Sequence, residues 1–211
     1  MPTSALHVAR TGLEAQDARM RVIANNLANI GTTGFKRDRV DFATLAYQEQ
    51  RVAGQASTGQ TAFAVGLNLG TGVQIQGTTR IGTQGTLNPT GNSLDIALDG
   101  DGFFQVELPG GGQPGFTRAG NFTLSNDGTL ITAQGYALQP PIQIPAGAQS
   151  VTIAPDGTVS AVTPGNVEAT LIGQLSVASF LNPAGLRNIG DNFLVETAAS
   201  GPAEVGFAGE N

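Results

Sequence analysis

Apolar residues recur at seven-residue intervals along the first thirty positions of this 211-residue chain. The repeat has two sets, offset by three positions: Leu6, Leu13, Met20 and Leu27, and Ala9, Gln16, Ile23 and Ile30. A period close to 3.5 places both sets on one side of an α-helix, with Gln16 as the polar member. The pattern predicts one long amphipathic helix from Leu6 to about Asn29, which ends in a turn marked by Gly31 and Gly34.

The apolar stripe is narrow, and this restricts what the helix can pack against. At about 1.5 Å per residue the helix is roughly 35–40 Å long, which is too long to fold back neatly on a small domain. A narrow stripe on an isolated helix has nothing to bury it. We therefore expect the stripe to face other helices in a coiled-coil type of packing.

The pattern changes to short strands from Gly70 onwards. Leu94, Ile96 and Leu98 alternate with other residues, and Asp-Gly pairs such as Asp127-Gly128 mark turns. Short apolar runs separated by turn residues about every 8–12 positions predict a mostly antiparallel β domain. The expected fold class is therefore α+β, with a long N-terminal coiled-coil-type helix followed by an all-β domain.

The expected domain organisation has four parts. Residues 1–35 form the assembly helix with its glycine turn, 36–69 a connector or insert, 70–200 the β-rich outer domain, and 201–211 a loop-like tail. Phe35–Gln50 mixes both periods, so a short strand and a short helix both remain open there. The composition of Arg51–Gly66, rich in Gly, Ala, Gln, Ser and Thr, predicts an extended loop.

The composition excludes several classes of protein. With no cysteine the chain has no disulfide, thiolate metal site or cysteine nucleophile. The segment through Arg51 has a surplus of two positive charges and the remainder a surplus of eight negative ones. Two charges are too few for a nucleic-acid footprint. The sequence has no run of about 18 consecutive apolar residues, which a membrane-spanning helix would need. The N-terminus lacks the pattern of a cleavable signal peptide.

The chain offers few residues for catalysis. Its single histidine, His7, lies on the predicted helix and has no second histidine with which to form a nucleophilic site. Asp95, Asp99 and Asp101 form a weak carboxylate cluster of a type that glycoside hydrolases use, but acidic residues in Gly turns are common. We therefore expect no catalytic, cofactor-binding or metal-binding residues, no cofactor, and a structural or binding function.

One segment carries a family resemblance. VIANNLANIGTTGFKR (Val22–Arg37) closely resembles the N-terminal motif of bacterial flagellar rod and hook proteins, in which an ANNLAN core leads into a Thr-Gly-Phe-Lys turn. GLNLGTGVQ (Gly66–Gln74) and DGDGFFQV (Asp99–Val106) extend the similarity, which runs from about Ala5 to Ser200. Within this family the LGTGV element and the insert-like stretch Arg51–Leu67 resemble the distal rod subunits most closely.

The resemblance implies a structural subunit of the flagellar basal body. Such subunits polymerise helically into a hollow rod that crosses the periplasm and transmits torque. Their partners are other copies, adjacent rod and hook proteins, and the flagellar type III export apparatus, through which they leave the cell without a cleaved signal peptide. Nucleic acid and a membrane span are not expected. The stretch Arg51–Leu67 corresponds to a segment that packs between neighbouring subunits.

The predicted assembly interface combines the helix stripe with the family motif. It consists of Leu6, Ala9, Leu13, Gln16, Met20, Ile23, Asn25, Asn26, Leu27, Asn29, Ile30, Gly34, Phe35 and Lys36. For the three asparagines the residues leave two readings open: they weaken the last helical turn, or they form hydrogen bonds across an interface.

Family members continue into a second heptad-bearing helix, which this sequence lacks. We therefore expect the stripe to have no intramolecular partner and polymerisation to be impaired. Three alternatives stay open. These alternatives are a proximal rod or hook subunit of the same family, a secreted β-rich adhesin or glycan-binding module, and a hydrolase based on the aspartate cluster. An adhesin function would leave the ANNLAN segment unexplained. Glycan binding usually uses exposed aromatic side chains, and a chain without Trp and with two Tyr offers few of them.

Overall fold

The computed structural model of the chain describes residues 2–58, 60–110, 112–165 and 168–209. The chain forms two compact units. The first, here called the helical unit, comprises Met1–Ile30 and Arg37–Ile81. The second, the β unit, comprises Gly31–Lys36 and Gly82–Asn211.

The helical unit contains one long helix and three antiparallel strand pairs. Its elements are α1 (Pro2–Ala28), β1 (Asp38–Thr44), β2 (Tyr47–Arg51), β3 (Ala56–Thr58), β4 (Thr61–Ala62), β5 (Leu67–Gly70) and β6 (Val73–Arg80). The predicted long N-terminal helix is confirmed. It ends where the amide of Asn29 donates to the carbonyl of Asn25 (3.1 Å) and that of Ile30 to Leu27 (3.3 Å), a tightening typical of a last turn.

The strands of the helical unit pair as successive ribbons. β1 lies beside β6 in the register Asp38↔Arg80 to Thr44↔Val73, with a bulge after Asp41. β2 pairs with β5, and β3 with β4. The ambiguous Phe35–Gln50 segment therefore contributes strands and no helix.

Composition predicted an extended loop for Arg51–Gly66, and the structure instead has a hairpin there. The amide of Gly54 donates to the carbonyl of Phe63 (2.8 Å), and the amide of Phe63 donates to Gln55 (2.9 Å). The hydrogen bonds of a strand ladder join backbone groups, so a polar and largely exposed segment can form one. Such a segment lacks the apolar alternation by which a half-buried strand is predicted from sequence. Gly59, within this stretch, lies outside the described residues.

The β unit is built from short antiparallel strands, as predicted. They are β7 (Phe104–Val106), β8 (Gly115–Thr117), β9 (Thr123–Leu124), β10 (Leu130–Ile131), β11 (Leu138–Gln139), β12 (Ser150–Ile153), β13 (Thr158–Val162), β14 (Thr170–Gln174), β15 (Ser176–Ser179), β16 (Arg187–Gly190), β17 (Phe193–Val195) and β18 (Glu204–Phe207), with a 3-10 turn at Pro183–Gly185. The largest sheet has the order β11-β7-β8-β17-β16, and a three-stranded sheet has the order β12-β13-β14.

The apolar core of the β unit forms around two phenylalanines. Phe104 and Phe122 are fully buried, and their rings pack edge to face with centroids 5.1 Å apart. Leu130, Leu138 and Val159 pack into the same cluster. The unit thus has its own core and folds around side chains that the alternating pattern of the sequence places inward.

The tail that composition predicted to be loop-like contains strand β18. This strand pairs with β15 in the register Ser176↔Phe207 to Ser179↔Glu204. The paired residues lie 31 positions apart at Ser176↔Phe207 and 25 at Ser179↔Glu204, so a non-local ladder determines the conformation of this strand. Glu210 and Asn211 lie outside the described residues.

Within the described ranges, α1 is too polar to cross a bilayer, and no other helix there is long enough to do so.

Candidate assembly interface

Helix α1 carries the predicted stripe on an exposed face. The eight stripe residues are Leu6, Ala9, Leu13, Gln16, Met20, Ile23, Leu27 and Ile30, and all of them are exposed. Leu13 is 72% exposed and Ile30 is 83% exposed. A row of large apolar side chains along about six turns of one helix face, with Ile30 in the turn that follows, is the kind of surface that marks a protein–protein contact. We call this row the exposed stripe.

The opposite face of α1 packs against the strands of its own unit. This packed face consists of side chains that are buried or half-buried: Thr11, Ala15, Ala18, Val22, Asn26 and Asn29. Its centre lies about 140° around the helix axis from the exposed stripe. Ala15 is only 6% exposed, and β1 and β6 are the strands that the helix contacts.

The packed face accounts for how the 27-residue helix lies on the β1–β6 ribbon of its own unit. Small side chains let the helix lie close to the β1–β6 ribbon, which leaves the stripe pointing away from it. Sequence reasoning missed this face because small and polar residues give no apolar periodicity. The signal that was present is the spacing of Thr11, Ala15, Ala18 and Val22, which follows one helix face.

Asn26 joins the end of α1 to the start of β1. Its side-chain Nδ2 donates to the carbonyl oxygen of Asp38 (2.8 Å), and the Asp38 amide donates to Asn26 Oδ1 (3.0 Å). The amide group therefore pairs with the backbone as a neighbouring strand would. We call this pair of hydrogen bonds the Asn26 clamp.

The two other asparagines of the motif act locally. The Nδ2 of Asn29 donates to the carbonyl of Asn25 (2.9 Å) and to its Oδ1 (3.2 Å), one turn earlier on the helix. Asn25 is exposed. The side-chain hydrogen bonds described here for the three asparagines all lie within one chain. A hydrogen bond from any of them to a second copy stays a prediction.

The LGTGV element lies against the middle of α1. Gly72 adopts φ +125°, and a Cβ at this position would lie 2.3 Å from Thr11 Oγ1. The amide of Val73 donates weakly to the same hydroxyl (3.4 Å). Gly72 is therefore required both by its backbone conformation and by the close approach of the helix.

The Gly34 turn belongs to the β unit. Gly34 adopts φ +70°, and a Cβ there would lie 2.6 Å from the carbonyl carbon and oxygen of Arg118. The neighbouring Thr33 carbonyl accepts a hydrogen bond from Asn192 Nδ2 (2.8 Å). Phe35, which follows, is half-buried. The Thr-Gly-Phe turn of the motif is thus seated on the β unit by its backbone.

Lys36 continues these contacts with its side chain. Its Nζ donates to the carbonyl oxygens of Gly82 (3.2 Å) and Thr83 (2.7 Å). Burial lowers the pKa of the Lys36 ammonium, the Arg118 guanidinium lowers it further, and Asp101 opposes both effects. The structure therefore places Gly34 and Lys36 in intrachain contacts within the β unit, whereas the exposed stripe belongs to the helical unit.

The aspartate cluster has the geometry of turns. The Nδ2 of Asn92 donates to Asp95 Oδ1 (3.0 Å), while Asp99 and Asp101 are exposed. His7 is also exposed, on α1. Across the described residues, no three His, Asp or Glu side chains are grouped in a way that would hold a metal ion.

Comparison with known proteins covers both units. The family model described as flagella basal body rod protein matches residues 6–36, and the model for the flagellar hook protein FlgE/F/G D1 domain matches residues 97–161. The flagellar basal-body rod protein FlgG of Buchnera aphidicola subsp. Acyrthosiphon pisum is 46% identical over 196 residues, which span 93% of this chain and 75% of that protein. The chain belongs to the flagellar basal-body rod protein family. The rod-family model spans the exposed stripe and Asn26, and it ends two residues before Asp38, the strand partner in the Asn26 clamp.

Other members of the rod family match over a similar length. The FlgG protein of Agrobacterium fabrum is 45% identical over 203 residues, covering 96% of this chain and 77% of its own length. That of Bacillus subtilis is 36% identical over 206 residues, covering 95% of this chain and 76% of that protein.

A hook protein matches over a shorter length. The flagellar hook protein FlgE of Helicobacter mustelae is 34% identical over 129 residues, covering 61% of this chain and 28% of that protein.

Proposed function

We propose that this chain is a structural subunit of the distal part of the flagellar basal-body rod, without catalytic activity. Copies associate through the exposed stripe of α1, together with the second heptad-bearing helix that the family resemblance implies, into a helical, hollow shaft that crosses the periplasm and transmits torque. The observation that carries the proposal is the orientation of α1: its small-residue face is occupied by β1 and β6, and its apolar stripe is exposed.

The stripe contains enough apolar surface to drive association. Six of its members are large apolar side chains: Leu6, Leu13, Met20, Ile23, Leu27 and Ile30. Full burial of such a side chain contributes about 1.5–3 kcal/mol, so the stripe offers roughly 10 kcal/mol before the costs of association. A homopolymer repeats this contact along its length, which makes a modest contact between two copies sufficient.

The interface that we propose has a helix part and a turn part. The helix part is the exposed stripe together with Asn25, Asn26 and Asn29. The turn part, Gly34, Phe35 and Lys36, supports the interface by fixing the turn on the β unit. The partners are other copies and adjacent rod and hook proteins, and the flagellar type III export apparatus delivers the chain without a cleavable signal peptide. The segment Arg51–Leu67, with exposed Val52 and Val65, packs between neighbouring copies.

A hook subunit of the same family is the second candidate. The 34% identity to the hook protein FlgE of Helicobacter mustelae favours it. That match covers less of this chain than the matches to the rod proteins do, so we rank the rod above the hook.

Deletion of the gene in the source bacterium separates these candidates. For a distal rod subunit we expect non-motile cells whose purified basal bodies end in a shortened rod and carry no hook. For a hook subunit the rod would be complete and only the hook absent. Complete hook–basal bodies in the deletion strain would contradict both.

A further inference from the structure

Asp-Gly is one of the dipeptides at which a protein backbone rearranges most readily, because glycine has no Cβ to hinder its nitrogen. The glycine nitrogen attacks the side-chain carboxyl carbon of the aspartic acid. The N–Cγ bond forms, a Cγ–O bond breaks, and the amide proton leaves with the hydroxyl group as one water, which closes a succinimide ring. Water then opens the ring at one carbonyl carbon to return aspartate, or at the other to give isoaspartate, in which the main chain runs through the former side chain.

The β unit contains four Asp-Gly pairs, and hydrogen bonds restrain two of them. The pairs are Asp99-Gly100, Asp101-Gly102, Asp127-Gly128 and Asp156-Gly157. The Gly128 amide donates to the Ser125 carbonyl (2.9 Å), and the Gly157 amide donates to the Ala154 carbonyl (2.9 Å). Such a bond has to break before the nitrogen can attack, which slows the rearrangement by roughly 2- to 13-fold.

Packing restrains the third pair and leaves Asp99-Gly100 unrestrained. Gly102 is buried, and a Cβ there would lie 2.3 Å from Val177 Cγ1. Asp99 and Gly100 are both exposed, and a Cβ on Gly100 would meet nothing within 4 Å. Among the described residues, the Gly100 amide has no hydrogen-bond acceptor and the Asp99 carboxylate has no donor. The structure therefore distinguishes this pair from the other three.

The segment around Asp99-Gly100 is fixed at both ends. Before it, Gln84 Nε2 donates to the Leu98 carbonyl (2.9 Å). After it, the amide of the buried Phe103 donates to the Ala178 carbonyl (2.9 Å). Isoaspartate adds one carbon to the main chain between these two points, which lengthens it by about 1.5 Å. Because the ends are held, the added length displaces the residues between them, including the carbonyl group of Gly100.

That carbonyl group is a hydrogen-bond acceptor of Arg118. The half-buried guanidinium donates from Nη2 to the Gly100 carbonyl (2.5 Å) and to Gln84 Oε1 (3.2 Å). We propose that Asp99-Gly100 is a site of isoaspartate formation, and that the rearrangement withdraws the Gly100 carbonyl from Arg118. The backbone of Arg118 also seats the Gly34 turn. The inference goes beyond the proposed function and does not depend on association of copies.

The test ages the purified chain at neutral pH and physiological temperature beside its Asp99→Glu variant. Glutamate keeps the negative charge at this exposed position, but its longer side chain would have to close a larger ring, which forms far more slowly. Peptide mass spectrometry with fragmentation assigns isoaspartate to each Asp-Gly pair. Methylation by an isoaspartyl methyltransferase with labelled S-adenosylmethionine measures the total independently. Hydrogen–deuterium exchange compares fresh and aged chains.

Isoaspartate should form faster at Asp99 than at the other three pairs, and at least about twofold faster than at Asp127. In the chain modified at residue 99, peptides containing Gln84 or Arg118 should exchange at least about threefold faster, because a hydrogen bond to a charged group is lost. Aged Asp99→Glu should show neither change. Formation at another pair as fast as at Asp99, or none at Asp99, would overturn the inference. Unchanged exchange around Arg118 in the modified chain would also overturn it.

Discussion

The Asn26 clamp holds the end of α1 to the start of β1 by two hydrogen bonds. Substitution Asn26→Ala removes two hydrogen bonds, one from Nδ2 to the Asp38 carbonyl (2.8 Å) and one from the Asp38 amide to Oδ1 (3.0 Å). At about 1 kcal/mol each, the joint between α1 and β1 loses about 2 kcal/mol. Amides protected by that joint should then exchange with solvent about 30-fold faster.

Hydrogen–deuterium exchange measured by mass spectrometry tests this expectation peptide by peptide. We expect faster exchange in the last turns of α1 and at the start of β1, and no change in the β unit, which has its own core. Asn25→Ala is the matched control, because Asn25 is exposed and its side chain accepts one bond from Asn29. An exposed pair of this kind contributes only about 0.2–0.5 kcal/mol, so the control should change exchange less than about threefold.

Two results would contradict a role of the clamp in joining helix and strand. Unchanged exchange at Asp38 in Asn26→Ala would mean that the clamp does not hold β1 on the helix. Equal effects of Asn25→Ala and Asn26→Ala would mean that the change in helix propensity, which Ala raises relative to Asn, or the loss of local bonding accounts for the result, and not the contact between helix and strand.

Three further predictions concern other parts of the chain. Gly72→Val should destabilise the helical unit by about 1–3 kcal/mol in chemical denaturation, because the new Cβ meets Thr11 and the positive φ disfavours a side chain. Phe104→Ala should cost the β unit about 3–5 kcal/mol in the same assay. The Thr158 amide lowers the pKa of the Asp156 carboxyl, so its stabilising effect is present above about pH 4 and is lost as pH falls through the lowered pKa. Asp156→Asn should make the thermal midpoint less dependent on pH in that window.

The sequence predicted the elements with strong local patterns. The heptad of leucines and isoleucines gave the long helix and the exposed stripe, and the alternation around Leu94–Leu98 with Asp-Gly turns gave the antiparallel β class. These signals are strong because a large apolar side chain repeats at the period of its element. The apolar residues of Phe35–Gln50 mix the periods of helix and strand, so the sequence did not decide between the two. The structure forms strand β1 there, paired with β6.

Contacts made by small and polar residues could not be predicted in the same way. Ala15 is buried against strands that lie more than twenty positions further along the chain, and hydrophobic periodicity says nothing about such a neighbour. Asn26 is a poor helix former in the last turn of α1, and only the position of Asp38 in space shows that its amide completes a ladder. Strand β18 likewise depends on β15, which the tail sequence alone does not reveal.

Incorporation of the Leu13→Glu variant into basal bodies tests whether the exposed stripe mediates assembly. Leu13 is 72% exposed, so the substitution should leave the fold intact while placing a charge in the proposed contact. His7→Glu, on an exposed position of the same helix outside the stripe, is the control. We predict that purified hook–basal bodies contain His7→Glu at the natural level and lack Leu13→Glu. Equal incorporation of both variants would contradict the account.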